Sequence, residues 1–234
     1  MSKYFRCDET LTPGAEVTLP GHRFVRVLRA KVGDGLTLCD PTGALWSARI
    51  AALEPFRVLA IARQEGPRRE AAHALEVWLP LLKGGRTDDL VRQLTELGAT
   101  RIVPFASARG VVRLDAGKAA ERQARFANIA REAAQQCGRT LVPEVLRPIV
   151  GVPTIGPGVF LWEEGGAPAR EALVACPGRI LVGPEGGLAP DEAEALEAAG
   201  WQAAWLGPRI LRAETACVTL AVLALSAAGE HGYA

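Results

Sequence analysis

Apolar and polar positions follow two different rhythms along this chain of 234 residues. Between residues 31 and 64, the runs KVGDGLTLCD, ALWSARIAAL and FRVLAIARQ read as short strands, separated by the turn chemistry of Asp40-Pro41-Thr42-Gly43 and Glu54-Pro55. Ahead of them, GHRFVRVLRA sets Phe24, Val27 and Leu28 at helical spacing and leaves His22, Arg26 and Arg29 on other faces. This pattern predicts a small β domain over residues 1–70. The polar stretch RQEGPRREAAH, from Arg63 to His73, contains Gly66-Pro67 and is the expected linker.

From residue 71 to 234 the rhythm alternates between strand and helix. ALEVWLPLL reads as a strand, and Thr87 or Asp88 is the expected cap of a helix through DLVRQLTELG, closed by Gly98. RIVPFAS is the next strand, and AAERQARFANIAREAAQQCG a long helix ending at Gly138. VFLWE, RILVG and QAAWLG are further strand-like runs, each followed by a helical stretch: near Ala169, at DEAEALEAAG and at AETACVTLAVLALSAAG. Strands alternating with helices predict an α/β fold, a parallel sheet with helices on both faces.

Composition narrows the class. A hydrophobic content of 49% with 23% charged residues reads as globular, not disordered. No apolar run approaches the roughly 20 residues of a membrane span, and MSKYFRCDET lacks the apolar core of a signal peptide, so the expected location is cytoplasmic, with no membrane partner. Cys7, Cys39, Cys137, Cys176 and Cys217 show no CxxC spacing, and with His22, His73 and His231 they make no metal pattern; reduced thiols and no metal are expected. The charge is unevenly spread. Residues 1–150 carry 23 Lys and Arg against 16 Asp and Glu, while residues 151–234 carry 4 against 10. A solvated basic face is one explanation, and a polyanionic partner held by the N-terminal two-thirds is the other.

Three predicted strand ends carry unusual chemistry: Leu161-Trp162-Glu163, the loop Gly183-Pro184-Glu185-Gly186-Gly187, and LGPRILRAETA from Leu206 to Ala216. Each is compatible with an ordinary turn. Together they suggest a pocket at the carboxyl ends of parallel strands, where open α/β sheets bind ligands. The glycine spacing is neither G-x-G-x-x-G nor a P-loop, and Glu185 would repel a phosphate, so a cationic or polar ligand fits better than a pyrophosphate.

LVGPEGGLAPDE followed by LGPRILRAETA resembles the C-terminal signature of the SPOUT class of methyltransferases, and within it the ribosomal RNA small-subunit methyltransferase E family. The resemblance extends over the chain. HRFVRVLRAKVGDGLTLCD is similar to that family's N-terminal PUA-like β-barrel, and RQLTELGATRIVPFASARG and REAAQQCGRTLVPEV to its middle segments. It implies an RNA-binding barrel over 1–70 and a SPOUT methyltransferase domain over 71–234, whose C-terminal segment threads a deep trefoil knot, an exception to the unknotted rule. It also implies a homodimer, and S-adenosylmethionine held by Leu161, Trp162, Glu163, Gly183, Pro184, Glu185, Gly186, Leu206, Gly207, Pro208, Ile210 and Leu211.

The reaction implied is methylation at N3 of a uridine in 16S ribosomal RNA of the small subunit. N3 bears an imide proton, so the reaction needs a base or a cation that stabilises the uracilate oxygens. Arg212 is the expected cation, and Glu214 either orients it or accepts the proton; an ordinary cap and salt bridge at a helix start is the competing explanation of both. His22, Arg26 and Arg29, with Lys83, Arg86, Arg109, Arg131 and Arg139, are the expected RNA grip, because arginine matches phosphate geometry. The chain departs from the family pattern at Gln93, where lysine is common, and at Gly110, where serine often stands. The rival readings are another knotted RNA methyltransferase, acting on a ribose 2′-oxygen or another base position, and a non-catalytic RNA-binding assembly factor.

Overall fold

In the computed structural model, which describes residues 4–20, 29–66 and 69–230, contacts divide the chain into two units. One comprises Met1–Glu70 with Ala134–Leu141, the other Ala71–Ala133 with Val142–Ala234. The helical stretch expected around Phe24, with His22 and Arg26, and residues 67 and 68 of the expected linker lie outside the described residues.

The first unit is built on β1 (Tyr4–Arg6), β2 (Glu16–Thr18), β3 (Gly35–Cys39), β4 (Leu45–Leu53) and β5 (Phe56–Gln64), in the order β1-β3-β4-β5-β2. Among the described residues, only β1 against β3 is parallel. Period-two burial fixes the inward face: Trp46, Ala48 and Ile50 from β4 meet Phe56, Val58 and Ala60 from β5, with Phe5 and Phe56 in tilted ring contact at 5.5 Å. The turn between β3 and β4 closes on Asp40, which is 1% exposed. Its carboxylate accepts from Thr42 N–H (2.9 Å), Thr42 Oγ1 (2.5 Å), Ala44 N–H (3.2 Å), Trp46 Nε1 (3.1 Å) and Leu11 N–H (3.4 Å). Burial opposes the charge, yet the hydrogen bonds, those from Thr42 and Trp46 foremost, outweigh it and hold the Asp40 carboxyl below its ordinary value.

Residues 134–141 belong with this unit because its side chains, among them Tyr4, Arg6, Cys39 and Glu70, bind them. Glu70 accepts from Arg139 Nε (3.0 Å) and Nη2 (2.7 Å), Thr140 N–H (2.6 Å) and Leu141 N–H (2.9 Å), while Tyr4 Oη and Arg6 Nη1 donate to the Arg139 carbonyl at 2.7 and 3.1 Å. Arg139 is therefore not a residue that can grip RNA. It is 3% exposed and donates twice to one carboxylate oxygen, Glu70 Oε2, a strut inside the fold.

The second unit carries an all-parallel sheet. Its strands are β6 (Glu76–Pro80), β7 (Arg101–Ala106), β8 (Glu144–Val145), β9 (Ile149–Val150), β10 (Gly158–Leu161), β11 (Ala167–Pro168), β12 (Arg179–Leu181) and β13 (Trp201–Trp205). Their order is β11-β13-β10-β12-β6-β7-β8, with β9 also on β7. Alternate residues feed two separate cores, one on each face. Val77, Ile102, Val159, Ile180 and Ala204 pack under α1 (Arg86–Leu97), α2 (Ala116–Cys137), α3 (Ala169–Ala175) and α5 (Ala213–Ala227). Trp78, Phe105, Phe160, Leu181 and Ala203 pack under α4 (Pro190–Ala198) through Ala193 and Leu196. Helices on both faces of a parallel sheet are thus what the alternation of strands and helices predicted.

Two expected boundaries move. α1 begins at Arg86 with Gly85 at its cap, not at Thr87 or Asp88, because the Thr87 hydroxyl turns back to accept from Leu82 N–H at 2.8 Å. α2 begins at Ala116, where Asp115 accepts from Gly117 N–H at 2.9 Å. No helix among the described residues is long and apolar enough to cross a membrane.

Candidate active site

Apart from Arg131, which lies within α2, the expected site segments of the second unit emerge from the carboxyl ends of neighbouring strands. Lys83 and Arg86 follow β6, Arg109 follows β7, Trp162 and Glu163 follow β10, the loop Gly183–Gly187 follows β12, and Leu206 to Glu214 follows β13. Chain order reverses across the β12–β6 pairing: β7 and β8 lie to one side of β6, β10 and β13 to the other. This is a topological switch point, the place at which open α/β sheets bind ligands.

The glycines of the loop after β12 are demanded by the protein itself. A Cβ at Gly183 would stand 3.1–3.3 Å from Leu188 and Gly187 atoms, and one at Gly186 would stand 3.1 Å from the Arg109 carbonyl oxygen. Gly187 has φ 69° and faces the Glu163 carboxylate. Three loops are therefore pressed together, with Gly183 and Gly187 buried and Glu185 and Gly186 exposed. Glu192 locks this arrangement. Third in α4, it accepts from Ala189 N–H (2.9 Å), as the sequence pattern of a helix start allows, and reaches across to Ser107 Oγ (2.8 Å) and Ala108 N–H (2.8 Å).

Arg86 is the electrostatic centre. Gly84 and Gly85, at φ 69° and 80°, turn the chain so that α1 starts on Arg86. Its Nε donates to the Lys83 carbonyl at 3.0 Å, Nη2 pairs with Glu185, and Nη1 meets Glu214 Oε1 at 3.3 Å. Desolvation works against its charge, but the carboxylates of Glu185 and Glu214 outweigh this and raise the guanidinium above its ordinary value. Arg86, expected to grip RNA, is committed to two carboxylates. Glu214, expected beside Arg212, pairs with Arg86 instead, and its other oxygen, Oε2, is buried with no hydrogen-bond partner among the described residues. Arg212 stands at the amino end of α5 with its side chain exposed and without an ion pair among the described residues.

Of the other segments, Leu161, Leu206 and Leu211 are half-buried against the core, and Trp162 N–H donates to the Ala204 carbonyl at 2.9 Å. Gly207 has φ 108° and open space about it, and Ile210 is 93% exposed. Lys83 is exposed at the rim of a cavity of about 260 Å³, lined also by Leu82, Arg122, Arg125 and Phe126. Arg125 is held there by Asp88, whereas Arg122 has no partner among the described residues. Arg109 and Arg131 are exposed on the second unit, and Arg29, at φ 47°, is exposed on the first. A larger cavity, about 550 Å³, lies at the opposite, amino ends of the strands. Its charged groups are already satisfied by one another: Glu76 pairs with Arg179 and Arg101, and Arg101 with Glu144. Among the described residues no group of His, Cys, Asp and Glu is arranged to hold a metal ion.

Comparison with known proteins agrees with the resemblance. A model of the RNA methyltransferase domain family matches residues 69–225. The Bacillus subtilis ribosomal RNA small subunit methyltransferase E is 32% identical over 211 residues, covering 83% of this chain and 82% of that protein. Among solved structures, a ribosomal RNA small subunit methyltransferase E from Neisseria gonorrhoeae bound to S-adenosyl methionine superposes with a TM-score of 0.82 at 31% identity, covering 96% of each chain. A methyltransferase from Legionella pneumophila in complex with the same cofactor gives 0.84 at 27% identity, covering 97% of each. With a family match over most of its length and relatives of this closeness, the chain belongs to the RNA methyltransferase domain family and, within it, to the ribosomal RNA small subunit methyltransferases E.

Proposed function

We propose that this chain transfers a methyl group from S-adenosylmethionine to N3 of a uridine in the 16S ribosomal RNA of the small subunit. The observation that carries the reading is the meeting of the Gly183–Gly187 loop, the Leu206–Glu214 segment and Arg86 at one switch point, in a chain whose relatives bear the small-subunit methyltransferase name.

The residues present fit the cofactor. The glycine loop offers backbone N–H and C=O groups without side chains, suited to the adenine edge and the amino-acid end of such a ligand. Leu161, Leu206 and Leu211 supply apolar contact, and Glu185 brings a carboxylate towards a ligand that carries a sulfonium cation. Leu161 to Glu163, Gly183 to Gly186 and Leu206 to Leu211 are its proposed holders. When bound, the cofactor supplies an electrophilic methyl group.

The chain's own side chains then deal with the proton. Uridine N3 attacks only once its imide proton has left, and Glu214 Oε2, buried and without a partner among the described residues, has the free capacity to accept it. Arg212 lacks a counter-charge among the described residues and stabilises the uracil oxygens as negative charge builds there. The Glu214–Arg86 pairing supports the proton-accepting role over the alternative of orienting Arg212.

Lys83, Arg109, Arg131 and Arg29 are the proposed phosphate contacts, with His22 and Arg26 near Arg29 in sequence. We read the five-stranded unit as a PUA-like RNA-binding barrel, the parallel unit as a SPOUT fold with a deep trefoil knot, and the working enzyme as a cytoplasmic homodimer. Incubating the protein with labelled S-adenosylmethionine and small subunits lacking the modification, then digesting the RNA to nucleosides for mass spectrometry, should give N3-methyluridine. A label on ribose, or none, overturns the assignment.

A further inference from the structure

We propose that Arg86 is a positioning residue for methyl transfer, acting through Glu214; the inference rests on the function just proposed. Every nitrogen of its guanidinium is engaged in a different direction: Nε on the Lys83 carbonyl, Nη2 on Glu185 and Nη1 on Glu214 Oε1. The planar fork is thereby fixed at both ends, by the Gly84-Gly85 turn behind it and by two carboxylates from separate loops in front. One cation spans the glycine loop after β12 and the first turn of α5.

Two consequences follow for Glu214. Its Oε1 is occupied, so the carboxylate cannot rotate freely, and Oε2 is presented buried and without a partner among the described residues. A buried carboxylate oxygen without a donor is costly and is retained where something else supplies the donor, here the N3–H of the target base. The second consequence concerns Arg212, two positions away on the same chain segment. With Glu214 held by Arg86, Arg212 keeps its charge for the substrate. Without Arg86, Glu185 and Glu214 repel each other, and the nearest cation in sequence able to relieve Glu214 is Arg212; the base and the charge-stabilising group would then quench one another. Lysine could meet only one of the two carboxylates at a time, since it lacks the fork.

The test is single-turnover methyl transfer to small subunits lacking the modification, at saturating S-adenosylmethionine, with S-adenosylhomocysteine affinity measured by calorimetry. The proteins are the full chain, R86A, R86Q, R86K, E214Q and R86A/E214Q. R86A and R86Q should each slow transfer by about 100-fold while cofactor affinity changes less than about fivefold, the split expected when ground-state binding is spared. R86K should recover roughly tenfold, since it restores charge but not the second interaction. The double variant should be no more than about threefold slower than the slower of R86A and E214Q, because groups acting as a unit are not additive. R86Q also guards against a folding defect peculiar to alanine. Wild-type rates in R86A and R86Q, a rate loss matched by an equal loss of cofactor affinity, or effects of R86A and E214Q that multiply would each overturn the proposal while leaving the methyltransferase reading intact. Absence of transfer by the wild-type chain would overturn that reading, and this one with it.

Discussion

Ser107 Oγ donates to Glu192 Oε2 at 2.8 Å, joining the loop after β7 to the first turn of α4 across 85 positions of sequence. The same carboxylate takes Ala108 and Ala189 N–H groups, so a single buried side chain sets the distance between two walls of the site.

E192A should therefore damage both stability and cofactor binding. It strands a hydroxyl and two backbone donors, a loss of roughly 1–3 kcal/mol for each group left buried and unpaired. Thermal melting with and without S-adenosylhomocysteine checks it. E192Q keeps the acceptor oxygen for part of the set and should fall between E192A and wild type; a melting temperature for E192A equal to wild type would show that the bridge holds nothing.

Cofactor binding itself should be abolished by G183V. Gly183 is buried with Leu188 and Gly187 atoms 3.1–3.3 Å from where its Cβ would stand, so a branched side chain must push the loop open. For the wild type, S-adenosylhomocysteine at about 100 times its Kd should add about 2.7 kcal/mol of stability by mass action. A flat calorimetric titration of the wild type would contradict the cofactor assignment, and a full response from G183V would contradict the geometry.

These residues also mark how far the sequence can be read. The strands are legible because VWL, IVPF and ILV are short apolar runs bounded by turn residues, and because both faces of a parallel sheet are buried. β8, β9 and β11 have two residues each and carry no period to detect. Thr87 and Asp88 have the chemistry of helix caps, but the Thr87 hydroxyl is taken by Leu82, a choice made by the tight loop and not by local propensity. The glycine loop and its neighbours stand out because unusual residues cluster in sequence. The Arg86 hub does not, since its carboxylate partners, Glu185 and Glu214, lie 99 and 128 positions away. The strut role of Arg139 is hidden for the same reason: nothing near it in sequence announces Glu70.

Charge substitutions should separate the two kinds of arginine. K83E and R122E alter side chains without ion-pair partners among the described residues, so they should weaken binding to small subunits. The salt dependence should flatten by about one unit of slope for each phosphate no longer neutralised, with cofactor affinity unchanged. R139A should act in the opposite sense. It leaves Glu70 half-paired in a buried place, so the melting temperature should fall while RNA affinity of the folded protein holds. Filter binding across a salt series, beside melting curves, decides between these outcomes; weakened RNA binding by R139A at temperatures where it is fully folded would restore Arg139 to the interface.

Acid should loosen the first unit through Asp40 and Glu70. Burial opposes both charges, but hydrogen bonds to Asp40 and the Arg139 pairing with Glu70 hold the two carboxyls below their ordinary values of 3.8 and 4.5. A carboxyl depressed in the folded state adds stability that is fully present above its unfolded pKa and is lost as pH falls through the folded one. Stability attributable to the pair should thus be level at neutral pH and decline once pH drops below about 4.5, the ordinary value for Glu70. D40N should already be destabilised at pH 7, because its amide N–H₂ confronts donors from Trp46 and Leu11, and should lose less on acidification. Urea titrations at pH 7 and pH 3.5 measure this, and equal acid sensitivity in D40N and wild type would exclude Asp40 as a contributor.

The return of residues 134–141 to the first unit has a consequence for the chain as it is made. Tyr4, Arg6 and Glu70 leave the ribosome long before Arg139 and Thr140, the groups they bind. At the usual pace of synthesis, roughly 5–20 residues per second, the Glu70 carboxylate waits on the order of 4–14 seconds for its partners. During that interval the N-terminal strands must stand without their last layer of support. Nascent chains arrested before and after residue 141 should differ sharply in resistance to protease, so this short returning segment acts as a clock for when the first part of the molecule becomes whole.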